Sequence, residues 1–152
     1  MKKHIFVLIL FLLCLLLVAC DNEKSAGGAL PVPEAPERKY DPQQLAVGER
    51  VYQAECASCH GAEGQGAENW RKRGSDGLFP APPLNGSGHS WHHSTEVLTG
   101  IIRNGSPDNK RSMPAWEGRL TEQEIEAVVL WFQSKWPQPV YNAWYEMQQR
   151  GR

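Results

Sequence analysis

Cysteine is scarce in this chain, and acid and base nearly balance. Its 152 residues hold four cysteines, 16 basic and 17 acidic side chains, for a net charge of −1. Near-neutrality argues against nucleic acid as a partner, which calls for a concentrated excess of Lys and Arg. No second Cys pair follows Cys56 and Cys59, so a tetrahedral zinc site lacks two of its ligands. No βαβ pattern surrounds that pair, which removes the setting of a thioredoxin-like redox couple. The longest apolar run, Ile5 to Ala19, has 15 residues and is short for a bilayer crossing. There is no internal repeat, and no strand pattern stands out. No nucleophile–base pair or carboxylate pair suggests an active site. No catalytic residue and no small-molecule substrate are therefore expected, and the chain is read as not an enzyme.

The apolar run follows Lys2 and Lys3, and residues 1–19 read as a signal peptide. The run ends in Leu17-Val18-Ala19-Cys20, which resembles the lipobox of bacterial lipoproteins. That resemblance implies cleavage before Cys20 and a lipid on the new N-terminal cysteine. The alternatives are an uncleaved anchor and an ordinary secreted protein. Asp21 resembles the signal that retains such lipoproteins in the inner membrane of enteric-type bacteria. The implied location is the bacterial cell envelope, anchored by lipid and facing the periplasm or the outer face of the cytoplasmic membrane. Cleavage removes Lys2 and Lys3 and no acid, leaving 14 basic and 17 acidic residues and a net charge of −3. Cys14 leaves with the signal, so one cysteine is removed, one is lipidated and two remain. Residues 20–39 are rich in Ala, Gly, Pro, Glu and Ser and read as a linker. A flexible coil of that length averages about 25 Å end to end.

Cys56, Cys59 and His60 form the string C-A-S-C-H. C-x-x-C-H is the attachment signature of c-type haem. Two thiols at this spacing can each add to one vinyl group of a single haem. The adjacent histidine is then held where an imidazole nitrogen can ligate iron.

The rest reads as helices. Asp41 is a candidate N-cap, Pro42 suits the first helical position, and Gln44 would complete a capping box. Tyr40 and Leu45 would staple that start, and Leu45, Gly48 and Tyr52 share one face. A second helix is expected after Ser94, with Val97, Leu98, Ile101 and Ile102 buried and Asn104-Gly105 as its stop. A third is expected from the cap Thr121 with Glu124 as box partner and Leu120 and Ile125 as staple. Ile125, Val128, Val129 and Phe132 form its stripe, and Pro137 closes it. The predicted class is all-α, with a domain over 40–136 and a C-terminal extension over 137–152. A segment of that size is small for a self-sufficient core, and a large apolar cofactor would supply what the side chains lack.

Residues Tyr40 to Trp136 together resemble a class I (monohaem) c-type cytochrome. The resemblance rests on Gly48 and Tyr52 ahead of C-x-x-C-H, on Pro82 and Leu84 after it, on Met113-Pro114, and on Trp131 in the C-terminal helix. It implies three main helices and loops around one covalent haem c, with His60 and Met113 as axial iron ligands. Pro82 and Leu84 would line the cofactor. The insert from Ala62 to Pro80 departs from the pattern, and Pro80 and Pro83 compete with Pro82. In the string G-H-S-W-H-H, Trp91 or a histidine would bond a haem propionate. His89, His92 and His93 could also form a metal tract, and they compete with Met113 for iron. The six tryptophans are read as packing around haem.

The expected function is one-electron transfer by a membrane-tethered carrier, with redox proteins of the respiratory chain as partners. An electron-accepting cytochrome subunit of a dehydrogenase or oxidase complex is the alternative. A five-coordinate haem binding a gas or peroxide is a third reading, should Met113 not ligate iron. Arg103, Lys110 and Arg111 are expected to form a basic rim near Met113.

Overall fold

The structure, a computed structural model, describes residues 35–106 and 113–151. The signal peptide, Cys20, most of the linker, and Lys110 and Arg111 lie outside the described residues.

Helix α1 (Pro42–Val51) starts where the cap chemistry predicts, because the Asp41 carboxylate accepts the Gln43 N–H at 2.9 Å. The bond goes to Gln43, and Gln44 makes no reciprocal box bond. Past Val51 the helix widens into a π-helical turn (Tyr52–Cys56) and tightens again as α2 (Ala57–His60). A 3-10 turn over Ser90–His92 precedes α3 (Thr95–Asn104), which Ser94 caps through the Val97 N–H at 3.2 Å. Helix α4 (Glu122–Ser134) carries the predicted capping box, with Thr121 and Glu124 bonding reciprocally. Helix α5 (Gln138–Arg150) follows at once. Among the described residues the only β-type pairing is an isolated bridge between Glu117 and Leu120. No described helix is long and apolar enough to cross a membrane.

The core forms where α1 crosses α4. A Cβ on Gly48 would lie 2.1 Å from the Ala127 carbonyl oxygen and 2.8 Å from the Trp131 Cβ. Only glycine lets the two backbones approach so closely. One helical turn on, the Tyr52 ring packs on Trp131 with centroids 4.2 Å apart. Tyr52, Ile125, Val128, Val129 and Trp136 are the largest fully buried side chains. Each aliphatic among them stabilises the fold by about 1.5–3 kcal/mol relative to exposure.

Two expectations are corrected. Val97 is 45% exposed, while Leu98, Thr99 and Ile102 form the buried face of α3. Thr99 tolerates burial because its hydroxyl donates to the Glu96 carbonyl at 2.9 Å. Pro137 does not end α4, which stops at Ser134; it serves as the N-cap of α5. That fifth helix was not expected. Val140, Tyr141 and Trp144 pack against the core, and the Trp144 indole N–H donates to the His93 carbonyl at 3.0 Å. Arg38, in the segment read as linker, donates to the Trp136 carbonyl at 2.8 Å and lies over the Tyr141 ring.

Candidate functional site

The three residues of C-x-x-C-H lie at the end of the π-helical turn and in α2. The π-helical turn advances the chain so that the Tyr52 hydroxyl donates to the Gly61 carbonyl at 2.9 Å. Tyr52 is fully buried, and burial raises its phenol well above the usual range. It stays a neutral donor and brackets the motif from both ends. Cys56 is half-buried, Cys59 is exposed, and both thiols are free. Burial, with Glu55 and Cys59 adding to it, pushes the Cys56 thiol up to about 11. The thiol is thus neutral near pH 7.

His60 is buried, with 9% of its surface exposed. Its Nδ1 lies 2.9 Å from the Pro82 carbonyl oxygen. A carbonyl only accepts, so Nδ1 carries a proton in this bond. A hydrogen bond from the second nitrogen is the usual way a metal-ligating histidine is oriented. It also resolves the competition among prolines, since Pro82 rather than Pro80 or Pro83 supplies this acceptor.

The strap 82–84 is held at both ends. The Leu84 N–H donates to the Gly64 carbonyl at 2.7 Å, and the Leu84 carbonyl accepts the Trp136 indole N–H at 2.8 Å. On the other side the Gly66 N–H donates to the His60 carbonyl at 2.7 Å. A Cβ on Gly66, whose φ is +72°, would lie 2.4 Å from the Pro83 nitrogen. The strap therefore needs glycine beside it.

Met113 is half-buried and packs against the core. Its backbone is tied to the end of α3, with the Ser106 N–H donating to the Met113 carbonyl at 3.1 Å. The Met113 N–H in turn donates to the Ser106 hydroxyl at 3.3 Å. Trp116 then returns its N–H to the Ile102 carbonyl at 3.2 Å. Ser106, seven positions earlier, thus holds the Met113 backbone from both sides.

The G-H-S-W-H-H string is a packed corner. The Trp91 indole N–H donates to the Gly88 carbonyl at 3.1 Å, so this donor is engaged within its own turn. The Trp91 ring stacks on His92 at 3.7 Å, and His89 lies against Trp70 and His93. Among the described residues no group of three or more His, Cys, Asp or Glu is arranged to hold a metal ion. Arg103 is not a free member of a basic rim, because its guanidinium pairs with Glu122 at 2.5 Å.

Sequence reasoning missed three contributors: the Tyr52–Gly61 bond, the Ser106 brace and the α5 helix. Only α5 had a readable signal, the spacing of Val140, Tyr141 and Trp144 on one helical face.

Two free thiols, an oriented imidazole and a braced thioether suit a covalently attached haem. The donor set fits that group in number and chemistry. The fold and the site define the class: a c-type cytochrome domain, all-α, whose cofactor is a covalent haem c. Residues 43–132 match the family described as cytochrome c oxidase, cbb3-type, subunit III, and the chain belongs to that family. A cbb3-type cytochrome c oxidase subunit CcoP of Azospirillum sp. (strain B510) is 33% identical over 91 residues, covering 60% of this chain and 28% of that protein. Cytochrome c6 of Gracilaria tenuistipitata var. liui is 30% identical over 86 residues, covering 55% of this chain and 66% of the relative. Cytochrome c6 of Leptolyngbya boryana is 33% identical over 90 residues, covering 59% and 91%. The chain thus spans about a quarter of the oxidase subunit and under two thirds of the first cytochrome c6, but nearly all of the second. Haem-based electron transfer is the work of this class.

Proposed function

We propose that this protein is a membrane-tethered, periplasm-facing carrier of single electrons. Cys56 and Cys59 would hold haem c through thioether bonds, and His60 and Met113 would ligate its iron. The bond from His60 Nδ1 to the Pro82 carbonyl carries this reading, because it fixes the orientation of the ring through one nitrogen, as a metal-ligating histidine is usually fixed. Bound haem supplies a one-electron couple between Fe(III) and Fe(II). The residues supply the rest. Pro82 holds the imidazole in one orientation, and Leu84 and the corner at Trp91 pack as an apolar wall. Ser106 and the end of α3 keep Met113 from swinging away. With both His60 and Met113 on the iron, no position would be left for substrate, in keeping with a carrier rather than an enzyme. Lipid on Cys20 would anchor the chain, and the partners would be redox proteins of a respiratory chain.

A second reading is favoured by the family's description and by the Azospirillum relative. The domain would then be the electron-accepting part of an oxidase complex and not a free carrier.

Electrophoresis under denaturing conditions, followed by a haem stain, tests the attachment. The protein should keep its haem, and Cys56→Ser with Cys59→Ser should lose it. Haem that separates while both thiols remain titratable would overturn the reading.

A further inference from the structure

The described residues contain ten Lys and Arg, and most are neutralised or clasped. Lys39, Arg103, Arg119, Lys135 and Arg150 each pair with a glutamate. Arg38 is spent on backbone carbonyls. Among the described residues four cations form no ion pair: Arg50 alone, and Arg71, Lys72 and Arg73 side by side, Arg73 also donating to the Gly77 carbonyl of its own loop at 2.5 Å. These three are exposed and occupy the insert that sets this chain apart from the pattern of the class.

The insert is an ordered Ω-type loop. Its neck closes where the Ala67 N–H donates to the Ala81 carbonyl at 2.9 Å, one residue before Pro82. Inside, the Gly74 N–H donates to the Leu78 carbonyl at 2.8 Å, and the Asp76 carboxylate accepts the Leu78 N–H at 2.9 Å. The Arg71 guanidinium lies 4.1 Å from the centre of the Trp70 ring, and that of Arg73 lies 4.5 Å from the centre of Phe79. Both arginines are therefore propped in place before any partner arrives, which lowers the entropy lost on binding. The loop's own acids are Glu68 and Asp76, and Asp76 is occupied by the backbone.

We infer that the Ala67–Ala81 loop is a docking surface for a protein partner bearing clustered carboxylates, with Arg71, Lys72 and Arg73 as its contacts. The inference rests on the electron-carrier reading for its claim that the partner is a redox protein. Guanidinium forks match carboxylates in a bidentate way, and concentrated charge on a mildly acidic body steers encounter. A membrane surface fits less well, because Trp70 and Phe79 lie under guanidinium groups and are not presented for insertion. The loop's neck adjoins the strap that holds His60, so a partner seated here approaches from the histidine side of the site and not through the segment carrying Met113.

The full-chain holoprotein in phosphatidylcholine nanodiscs is titrated with a labelled decaglutamate peptide and then cross-linked with a carbodiimide, which joins an amine to a carboxylate. Cross-links should concentrate on Lys72. Arg71→Glu with Arg73→Glu should weaken binding about tenfold, the effect of two modest exposed pairs turned repulsive. Arg71→Lys with Arg73→Lys should fall between the two, because the charge is kept and the forks and ring contacts are lost, and Arg50→Glu should change nothing. Equal affinity in the reversed variant, or cross-links spread over Lys39 and Lys135, would overturn the inference. So would recruitment of the loop by phosphatidylglycerol nanodiscs in place of the peptide, which would make the surface one for lipid. A haem stain on the same samples separates the two claims: a chain that binds peptide without covalent haem keeps the surface and loses the carrier.

Discussion

His60 and Pro82 stand 22 positions apart and are joined by one hydrogen bond of 2.9 Å. Everything else around the motif serves that bond. Gly66 lets the strap approach, Gly64 and Trp136 fix the two ends of Leu84, and Tyr52 closes the turn that carries the histidine. The imidazole is thus positioned by the fold before any cofactor is considered.

The crossing at Gly48 allows no side chain. Gly48→Ala would place a methyl 2.1 Å from a backbone oxygen of α4, and backbone cannot rotate aside as a side chain can. Overpacking of this sort costs about 1–3 kcal/mol or more. Denaturant unfolding should show that loss as a lower midpoint with an unchanged slope. A midpoint equal to wild type would mean that α1 and α4 separate without penalty.

Met113→Ala tests the distal ligand. A thioether favours Fe(II) more than water does, so its loss should lower the reduction potential and open the iron to added imidazole or cyanide. Potentiometry and optical titration read both. An unchanged potential and spectrum would point to one of His89, His92 or His93.

Acid should weaken the start of α4. The Thr121 N–H and hydroxyl hold the Glu124 carboxyl below the usual range, and the Arg103 guanidinium does the same for Glu122. A carboxyl depressed in the folded state stabilises it above its unfolded pKa, and that contribution fades as pH falls through the lower, folded value. Thermal stability should therefore drop below the ordinary carboxylate range near pH 4. Thr121→Val should cost about 1 kcal/mol at neutral pH through loss of the cap and flatten this acid limb. An acid limb of identical slope in the variant would show that other carboxylates govern it.

Cys20→Ser should release the protein from membranes or block its processing. Lipoprotein-type anchoring by two or more acyl chains is stable where a single chain is marginal. Fractionation after a salt wash is the measurement. A substituted protein still found with the membrane would mean that something other than lipid on Cys20 holds it.

Much of the site was legible without coordinates because its chemistry is local. Cys56, Cys59 and His60 are neighbours in the chain, and their spacing alone names the group they can hold. The caps at Asp41, Ser94 and Thr121 are equally local, since each side chain bonds an amide two or three residues on. Where the reading failed, the deciding partner was distant. The face of α3 turned on burial of Thr99 in place of Val97, which periodicity cannot rank. The tail of the chain read only as an extension over 137–152, and its helix has Tyr141 and Trp144 lying against the core.

By itself the sequence determined the class of helices, their starts, and the covalent chemistry available at C-x-x-C-H. Those depend on residues within one turn of each other. Tertiary structure alone decided which proline holds His60, where Met113 sits, and which arginines are left unpaired. The prolines and the arginines are contests among candidates of the same type, settled by contacts such as His60 with Pro82 and Arg103 with Glu122, 22 and 19 positions apart, while Met113 is tied to Ser106, seven positions away. Arg103 and Arg71 are the same residue type, yet Arg103, half-exposed, meets Glu122, while Arg71, exposed, lies on the face of Trp70. No local rule separates them, because the difference is the neighbour that the fold supplies.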